Sequence, residues 1–340
     1  MYKQRLMPWL HILKRKELPI SEIMMPLLEE ARKEGAFVYH SFPDYLTSNN
    51  SIRYYPLAKI IANEDHACHI FLGADESGNP VVLKLGNPWI YDFDYVELER
   101  NALTTVGQSP HRHIIPLMDS GGYTVEIENK RGELVNRTRQ FLVLQYLEGE
   151  TFHATIENRL ISKLAKIKAV TQICDAIAAI HRSGIVHRDV KTRNIMLLQP
   201  INEDHIRAVL FDFDRSIILS PGELDFRNVG PTTHWYNAPE TLKENIRHMP
   251  WCDHRVDIYS LGVVLFEALT RRQQPTGNPE PKSMHHIIRS GQTPKEVRNI
   301  VIQATQLDPK DRFQTAGEMR RALEEVLAND MICSEFATIY

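Results

Sequence analysis

Ile185-Val186-His187-Arg188-Asp189-Val190-Lys191-Thr192-Arg193-Asn194-Ile195-Met196-Leu197 is the stretch that decides how this chain folds and what it can do. Apolar residues bracket it at both ends, and Val190 anchors its middle. Between them stand a carboxylate (Asp189), an ammonium (Lys191) and a carboxamide (Asn194). Polar groups interleaved with apolar anchors are held on a turn whose flanks are buried. A long amphipathic run, Ile161 to His181, precedes the stretch and is closed by Ser183-Gly184, a helix stop. The apolar run Ala208-Val209-Leu210 follows and delivers Phe211-Asp212-Phe213-Asp214, with Asp212 eighteen residues beyond Asn194.

These residue types fit phosphoryl transfer in roles that the chain's resemblance to a known family implies. Asp189 can receive the proton of an attacking hydroxyl. Asn194 and Asp212 offer the oxygen ligands that Mg²⁺ prefers. Lys191, two residues after the base, can reach a γ-phosphate. The plain alternative is a turn merely rich in Asp, Asn and Lys, and the spacing to Asp212 speaks against it. On these residues the chain resembles the eukaryotic-like serine/threonine protein kinases. His187-Arg188-Asp189 with Asn194 is similar to their catalytic loop, and Asp212-Phe213 to the first two residues of the metal-binding Asp-Phe-Gly motif. The resemblance implies Asp189 and Lys191 as catalytic residues, Asn194 and Asp212 as ligands of Mg²⁺ or Mn²⁺, and ATP as phosphate donor.

Further pieces follow in the order of that family. Val81-Val82-Leu83-Lys84-Leu85 resembles the third strand, whose lysine holds the α- and β-phosphates. A lysine within an apolar strand is costly unless paired, and Glu99 on the next helix is the expected partner, with Glu97 as second choice. Leu142 to Gly149 resembles the last strand and hinge, with Leu144 as gatekeeper and the backbone of Gln145 and Leu147 facing adenine; a plain buried strand is the rival reading. Asn237-Ala238-Pro239-Glu240 is similar to the Ala-Pro-Glu motif, Asp257 to the aspartate that braces the catalytic-loop backbone, and Arg312 to the arginine that pairs with Glu240. Thr233 falls where serine/threonine members keep a threonine bonded to the catalytic aspartate. Together with Lys191 it favours serine and threonine hydroxyls as acceptors.

Two features depart from the family pattern, and the activation segment is ambiguous. No glycine occurs between Ile60 and Ile70, where the phosphate loop belongs. Ala62 and Ala67 are small enough to approach a nucleotide, but Glu64 and Asp65 bring negative charge there, so weak ATP affinity or a loop that bends outward is expected; the rival reading is an ordinary exposed turn, with ATP held mainly by Lys84 and Mg²⁺. Asp214 stands in place of glycine after Asp212-Phe213, either as a stiffener or as an outer metal ligand, with Arg215 able to offset its charge. Arg188 calls for an anionic partner in the activation segment, and Ser216, Ser220 and Thr232 are candidate phosphosites, with Glu223 or Asp225 as stand-ins.

The expected fold is α+β, a bilobal protein-kinase-like architecture with a cleft between lobes. Residues 1–51 form a helical extension and linker, 52–330 the kinase domain (a β-rich N-lobe over 52–147 and a helical C-lobe over 148–330), and 331–340 a tail. Strands are expected at Ala67 to Gly73, Val81 to Leu85, Tyr123 to Glu128 and Gln140 to Gln145, and helices at Tyr91 to Val106, Ile161 to His181, Asp257 to Thr270 and Thr315 to Leu327. With 340 residues, 43% of them hydrophobic and 24% charged, the chain is globular in composition. A net charge of -3 gives no basic field for nucleic acid, and no apolar run has the length of a membrane span. Cys68, Cys174, Cys252 and Cys333 form no C-x-x-C pair, so reduced thiols in a cytosolic setting are expected, in the chain's own cell or, for a secreted effector, in a host's. Partners are a serine- or threonine-bearing protein, the chain itself through autophosphorylation, and a partner or dimer contact through residues 1–50. A pseudokinase scaffold and a small-molecule kinase are the alternatives; the missing glycines favour the former, and Glu240, Asp257 and Arg312 oppose the latter.

Overall fold

The computed structural model describes residues 45–59, 68–88, 95–128, 132–158, 160–201, 205–219, 235–241, 253–271, 281–291 and 293–337. The expected helical extension before residue 45, Ala62, Glu64, Asp65, Ala67, Ser220, Glu223, Asp225, Thr232, Thr233 and Cys252 lie outside them. The chain divides into two compact units, one holding residues up to 104 and 116–146, the other 105–115 and the chain from 147 on.

The first unit is a six-stranded antiparallel sheet in the order β1-β2-β3-β4-β6-β5. Its strands are β1 (Leu46–Thr47), β2 (Arg53–Lys59), β3 (Cys68–Asp75), β4 (Pro80–Gly86), β5 (Leu117–Glu128) and β6 (Leu134–Gln145), with most of helix α1 (Tyr95–Gly107) between β4 and β5. Alternation sets which side chains are buried: Val81, Leu83 and Leu85 of β4 join Phe71, Tyr123, Val125, Phe141 and Val143 in one core. The β3–β4 turn closes on Asp75, whose Oδ1 accepts from the Ser77 and Asn79 amides at 2.9 and 2.8 Å. The two ends of the sheet meet, with the Asn49 amide donating to the Ser120 carbonyl at 2.8 Å. Gly121 permits this approach, since a Cβ there would lie 3.0 Å from the Thr47 carbonyl. Strand β1 lies ahead of the boundary expected at residue 52: its two residues are too few to show a period, yet Leu46 is buried in the core. Strands β5 and β6 run to twelve residues each, longer than expected: the outer half of β6 alternates exposed with half-buried side chains, and β5 alternates exposed with buried ones.

The second unit is mainly helical. It contains β7 (Gly149–Thr151), α2 (Phe152–Glu157), α3 (Lys163–Arg182), β8 (Ile185–Val186), β9 (Ile195–Leu198), β10 (Ala208–Leu210), β11 (Ile217–Ile218), α4 (Arg255–Thr270), α5 (Pro281–Ser290), α6 (Lys295–Ala304), α7 (Ala316–Leu327) and α8 (Asp330–Ala337). Ser162 caps α3, accepting from the Ala165 amide at 3.2 Å. Ile167, Val170, Ile173, Ile177 and Ile180 then bury one face of α3. Helix α4 is buried from Val256 to Leu269 on every side, as befits a central helix. Thr315 caps α7, accepting from the Glu318 amide at 3.1 Å, and Glu318 in turn accepts from the Gln314 amide at 2.7 Å, close to a capping box. Helix α8 occupies part of the stretch expected to be a tail. Among the described residues no helix is long and apolar enough to cross a membrane.

Candidate active site

In the first unit Lys84 sits on β4 opposite Ile70 of β3 and Leu142 of β6, a register that points it off a wholly apolar strand. Its Nζ lies 2.6 Å from Glu99 Oε2 of α1, and both side chains are almost fully buried. Glu97, two residues earlier and so on another helix face, is exposed and pairs with Arg100 at 3.3 Å. Between the two glutamates, burial selects Glu99. Glu97→Gln is therefore expected to shift unfolding free energy by less than about 0.5 kcal/mol, and Glu99→Gln by about 1–3 kcal/mol, in a denaturant titration; equal effects would contradict the assignment. Leu144 is buried at the end of β6, pairing with Val82 and Leu117, and the Gln145 amide donates to the Pro116 carbonyl at 3.4 Å. Leu147 follows, half-buried and outside any strand.

In the second unit the turn from His187 to Asn194 hangs from Asp257, in the first turn of α4. Asp257 accepts from the amides of His187 and Arg188 at 2.8 Å each, and from His181 Nε2 at 2.9 Å. Burial alone would raise its carboxyl, but the bonds from His181 and His187 outweigh it and hold it below the usual carboxylate range. Arg188 adopts φ 67°, a left-handed conformation that costs a non-glycine residue about 1 kcal/mol or more. The Asp257 bond to its amide is what fixes it there.

Around Asp189 the side chains converge. Lys191 Nζ donates to Asp189 Oδ2 at 2.6 Å, and Asn194 Nδ2 donates to the same oxygen at 3.1 Å and to the Asp189 carbonyl at 3.0 Å. With its nitrogen committed, Asn194 presents Oδ1, an oxygen suited to a hard cation. The Phe211 amide bonds the Asn194 carbonyl at 3.0 Å, which brings the Asp212 strand end beside this turn. Asp212 takes φ 68°, a conformation that aspartate tolerates better than most residues. Phe213 is fully buried and packs on the His187 ring, centroids 4.6 Å apart. The charges of Asp257, then Asp189, Asp212 and Asp214 act on the buried His187. Among the described residues no three His, Cys, Asp or Glu side chains form a ready metal cage. One carboxamide and one carboxylate nevertheless fit Mg²⁺, which keeps waters and binds substrate phosphates in addition to one or two protein ligands.

Asp214 is outside the positive-φ set. Its backbone therefore does not need the freedom of the glycine found there in the family pattern, and Arg215 Nε stands 3.7 Å from its Oδ1. Ser216 is 2% exposed, so a phosphate donor cannot reach it in this arrangement. Glu240 and Arg312 form a buried two-pronged pair at 2.7 and 2.8 Å, as the resemblance implied.

One network was not foreseen. Glu267 of α4 is 3% exposed and accepts from Thr192 Oγ1 at 3.1 Å and from the Tyr236 hydroxyl. His153 Nδ1 lies 3.2 Å from its other oxygen, and Arg193 bonds His153 Nε2 at 2.6 Å. Burial, and then Glu267, push the Tyr236 hydroxyl up. The network ties the turn from His187 to Asn194 to the Ala-Pro-Glu segment. Its one signal in the sequence was an acid inside the apolar run Leu261 to Leu269.

Burial lowers the pKa of His187, His113 and His285 below 6.5; the Ala208 carbonyl partly opposes this at His113, and Arg289 adds to it at His285. A base whose folded pKa is depressed binds protons more readily when unfolded, so its stabilising effect is complete above about pH 6.5 and is lost as pH falls below it. Stability is expected to decline on acidification from about pH 7 to 5, by up to about 1.4 kcal/mol per pH unit for each histidine. Thermal unfolding across pH checks this. His187→Phe should flatten the slope, and an unchanged slope would refute the assignment to His187.

The protein kinase domain family model matches residues 95–332. The chain is 28% identical over 243 residues to serine/threonine-protein kinase PknB of Mycobacterium tuberculosis, covering 68% of this chain and 36% of that protein. It is 29% identical over 211 residues to serine/threonine-protein kinase PrkC of Bacillus subtilis, covering 58% of this chain and 31% of that protein. It thus spans about a third of the length of these curated relatives.

Proposed function

Because this chain belongs to the eukaryotic-like serine/threonine protein kinase family, we propose that it transfers the γ-phosphoryl group of ATP to serine or threonine hydroxyls of proteins, its own chain among them. The observation that carries this reading is the convergence of Lys191 and Asn194 on Asp189 Oδ2. Asp189 takes the proton of the acceptor hydroxyl as its oxygen attacks. Lys191 steadies Asp189 beforehand and meets the negative charge that grows on the transferred group. Asn194 Oδ1 and the Asp212 carboxylate hold Mg²⁺, which neutralises phosphate charge when bound. Lys84, kept extended by Glu99, binds the α- and β-phosphates, and the backbone of Gln145 and Leu147 receives adenine beneath Leu144. Residues 1–50 serve as a contact for a partner or a second copy.

A pseudokinase reading is favoured by two features: the glycine-free segment with Glu64 and Asp65, and Asp214. One assay separates the two. Labelled γ-phosphate from ATP is offered with Mg²⁺ to a generic protein substrate, using the chain and its Asp189→Asn variant, while nucleotide binding is titrated with and without Mg²⁺. Transfer by the chain and not by the variant supports the kinase. Nucleotide binding without transfer overturns it in favour of the pseudokinase.

A further inference from the structure

At the end of α3 far from His181 lies a group of cations that phosphate transfer does not use. Lys163 and Lys166 are the first and fourth residues of α3, and Arg271 directly follows α4. Helices α3 and α4 run antiparallel, for His181 at the end of one meets Asp257 at the start of the other, and Arg271 at the far end acts electrostatically on both lysines. Lys166 is 3% exposed. Among the described residues none of the three side chains has a hydrogen bond or an ion pair. Burial, then Arg271, then Lys163 bring the Lys166 amine down to about 8, and among the described residues no carboxylate opposes them. Covering most of a lysine side chain without a counter-charge near its ammonium is unfavourable, and two cationic neighbours add to this. Side chains of a helix slant toward its N-terminus, so Lys166 is aimed at the first turn of α3. There Ser162 satisfies the amides of Ala165 and Lys166 and leaves those of Lys163 and Leu164 to an outside acceptor.

We propose that Lys163, Lys166, Arg271 and the first-turn amides of α3 form a binding site for a phosphate-class dianion. A carboxylate would leave most of the positive charge unbalanced. A tetrahedral dianion offers enough oxygens for an arginine fork, two ammonium groups and backbone amides together. The dianion is either inorganic phosphate or the phosphomonoester of a small metabolite. The site stands whether or not the chain transfers phosphate, since it shares no residue with the catalytic turn.

The test is a thermal-shift titration of the full chain with inorganic phosphate and, separately, with phenyl phosphate, each against chloride at matched ionic strength. The Lys166 amine is followed in parallel by NMR. Phosphate is expected to raise the melting temperature by several degrees, of the order that saturating ligands produce, and to return the Lys166 titration upward from about 8. Lys166→Met should melt no lower than the parent, having lost a buried charge, and should lose the phosphate shift. Arg271→Gln, a change at an exposed side chain, should weaken the shift at least tenfold in ligand concentration, and it serves if the methionine variant does not fold. A response to the ester alone identifies a metabolite, and a response to both a free-anion site. An equal response to chloride, or a shift that both variants retain, overturns the proposal.

Discussion

Asp189→Asn is expected to lower phosphate transfer by about 10²- to 10⁴-fold, the range that a positioned proton acceptor supplies. Asparagine has the shape of aspartate and can still accept from Lys191 and Asn194, which lie 2.6 and 3.1 Å from Oδ2. What it cannot do is take up a proton at neutral pH. The loss should therefore fall on kcat, with KM for ATP little changed, because nucleotide contacts are assigned to other residues. Steady-state kinetics on a purified protein substrate measure both parameters. A loss confined to KM would assign Asp189 to nucleotide binding, and an unchanged kcat would remove it from the chemistry.

Arg312→Ala should lower the unfolding free energy by about 3–5 kcal/mol, the usual result of stripping one partner from a buried ion pair. Arg312 is 2% exposed, donates to both oxygens of Glu240 and to the carbonyls of Gln306, Leu307 and Arg255, and lies 5.0 Å over the Tyr259 ring. Alanine leaves the Glu240 carboxylate and three carbonyls without their donor. The double replacement Arg312→Met with Glu240→Leu should recover much of the loss, since the orphaned charge disappears with its partner. Chemical denaturation of the parent and the two variants reads this out. A single variant within about 1 kcal/mol of the parent would mean that the pair is structurally idle.

Much of the second unit could be read beforehand, because its key residues come in short runs of fixed order. Asp257, Glu240 and Arg312 were each assigned a partner, and each partner is bonded as expected. Lys84 was legible because an ammonium in an apolar strand demands a counter-charge, and the choice between Glu97 and Glu99 followed once the helix face was known. The Glu267 network was illegible for the opposite reason. His153, Thr192, Tyr236 and Glu267 are far apart in sequence, and each looks like an ordinary core or surface residue by itself. Lys166 was hidden likewise: a lysine in an amphipathic helix reads as a solvated flank until its burial is seen. Strand β1 and helix α8 were missed because two and eight residues carry too little periodicity to distinguish from a linker and a tail.

The burial of Ser216, whose amide bonds the Phe213 carbonyl at 3.0 Å, has a further consequence. An enzyme that marks this hydroxyl can act only on the fraction of molecules in which the stretch has locally come undone. The speed of labelling would then follow how often that breach occurs, whatever the supply of donor, and would make the residue a gauge of breathing in this part of the chain.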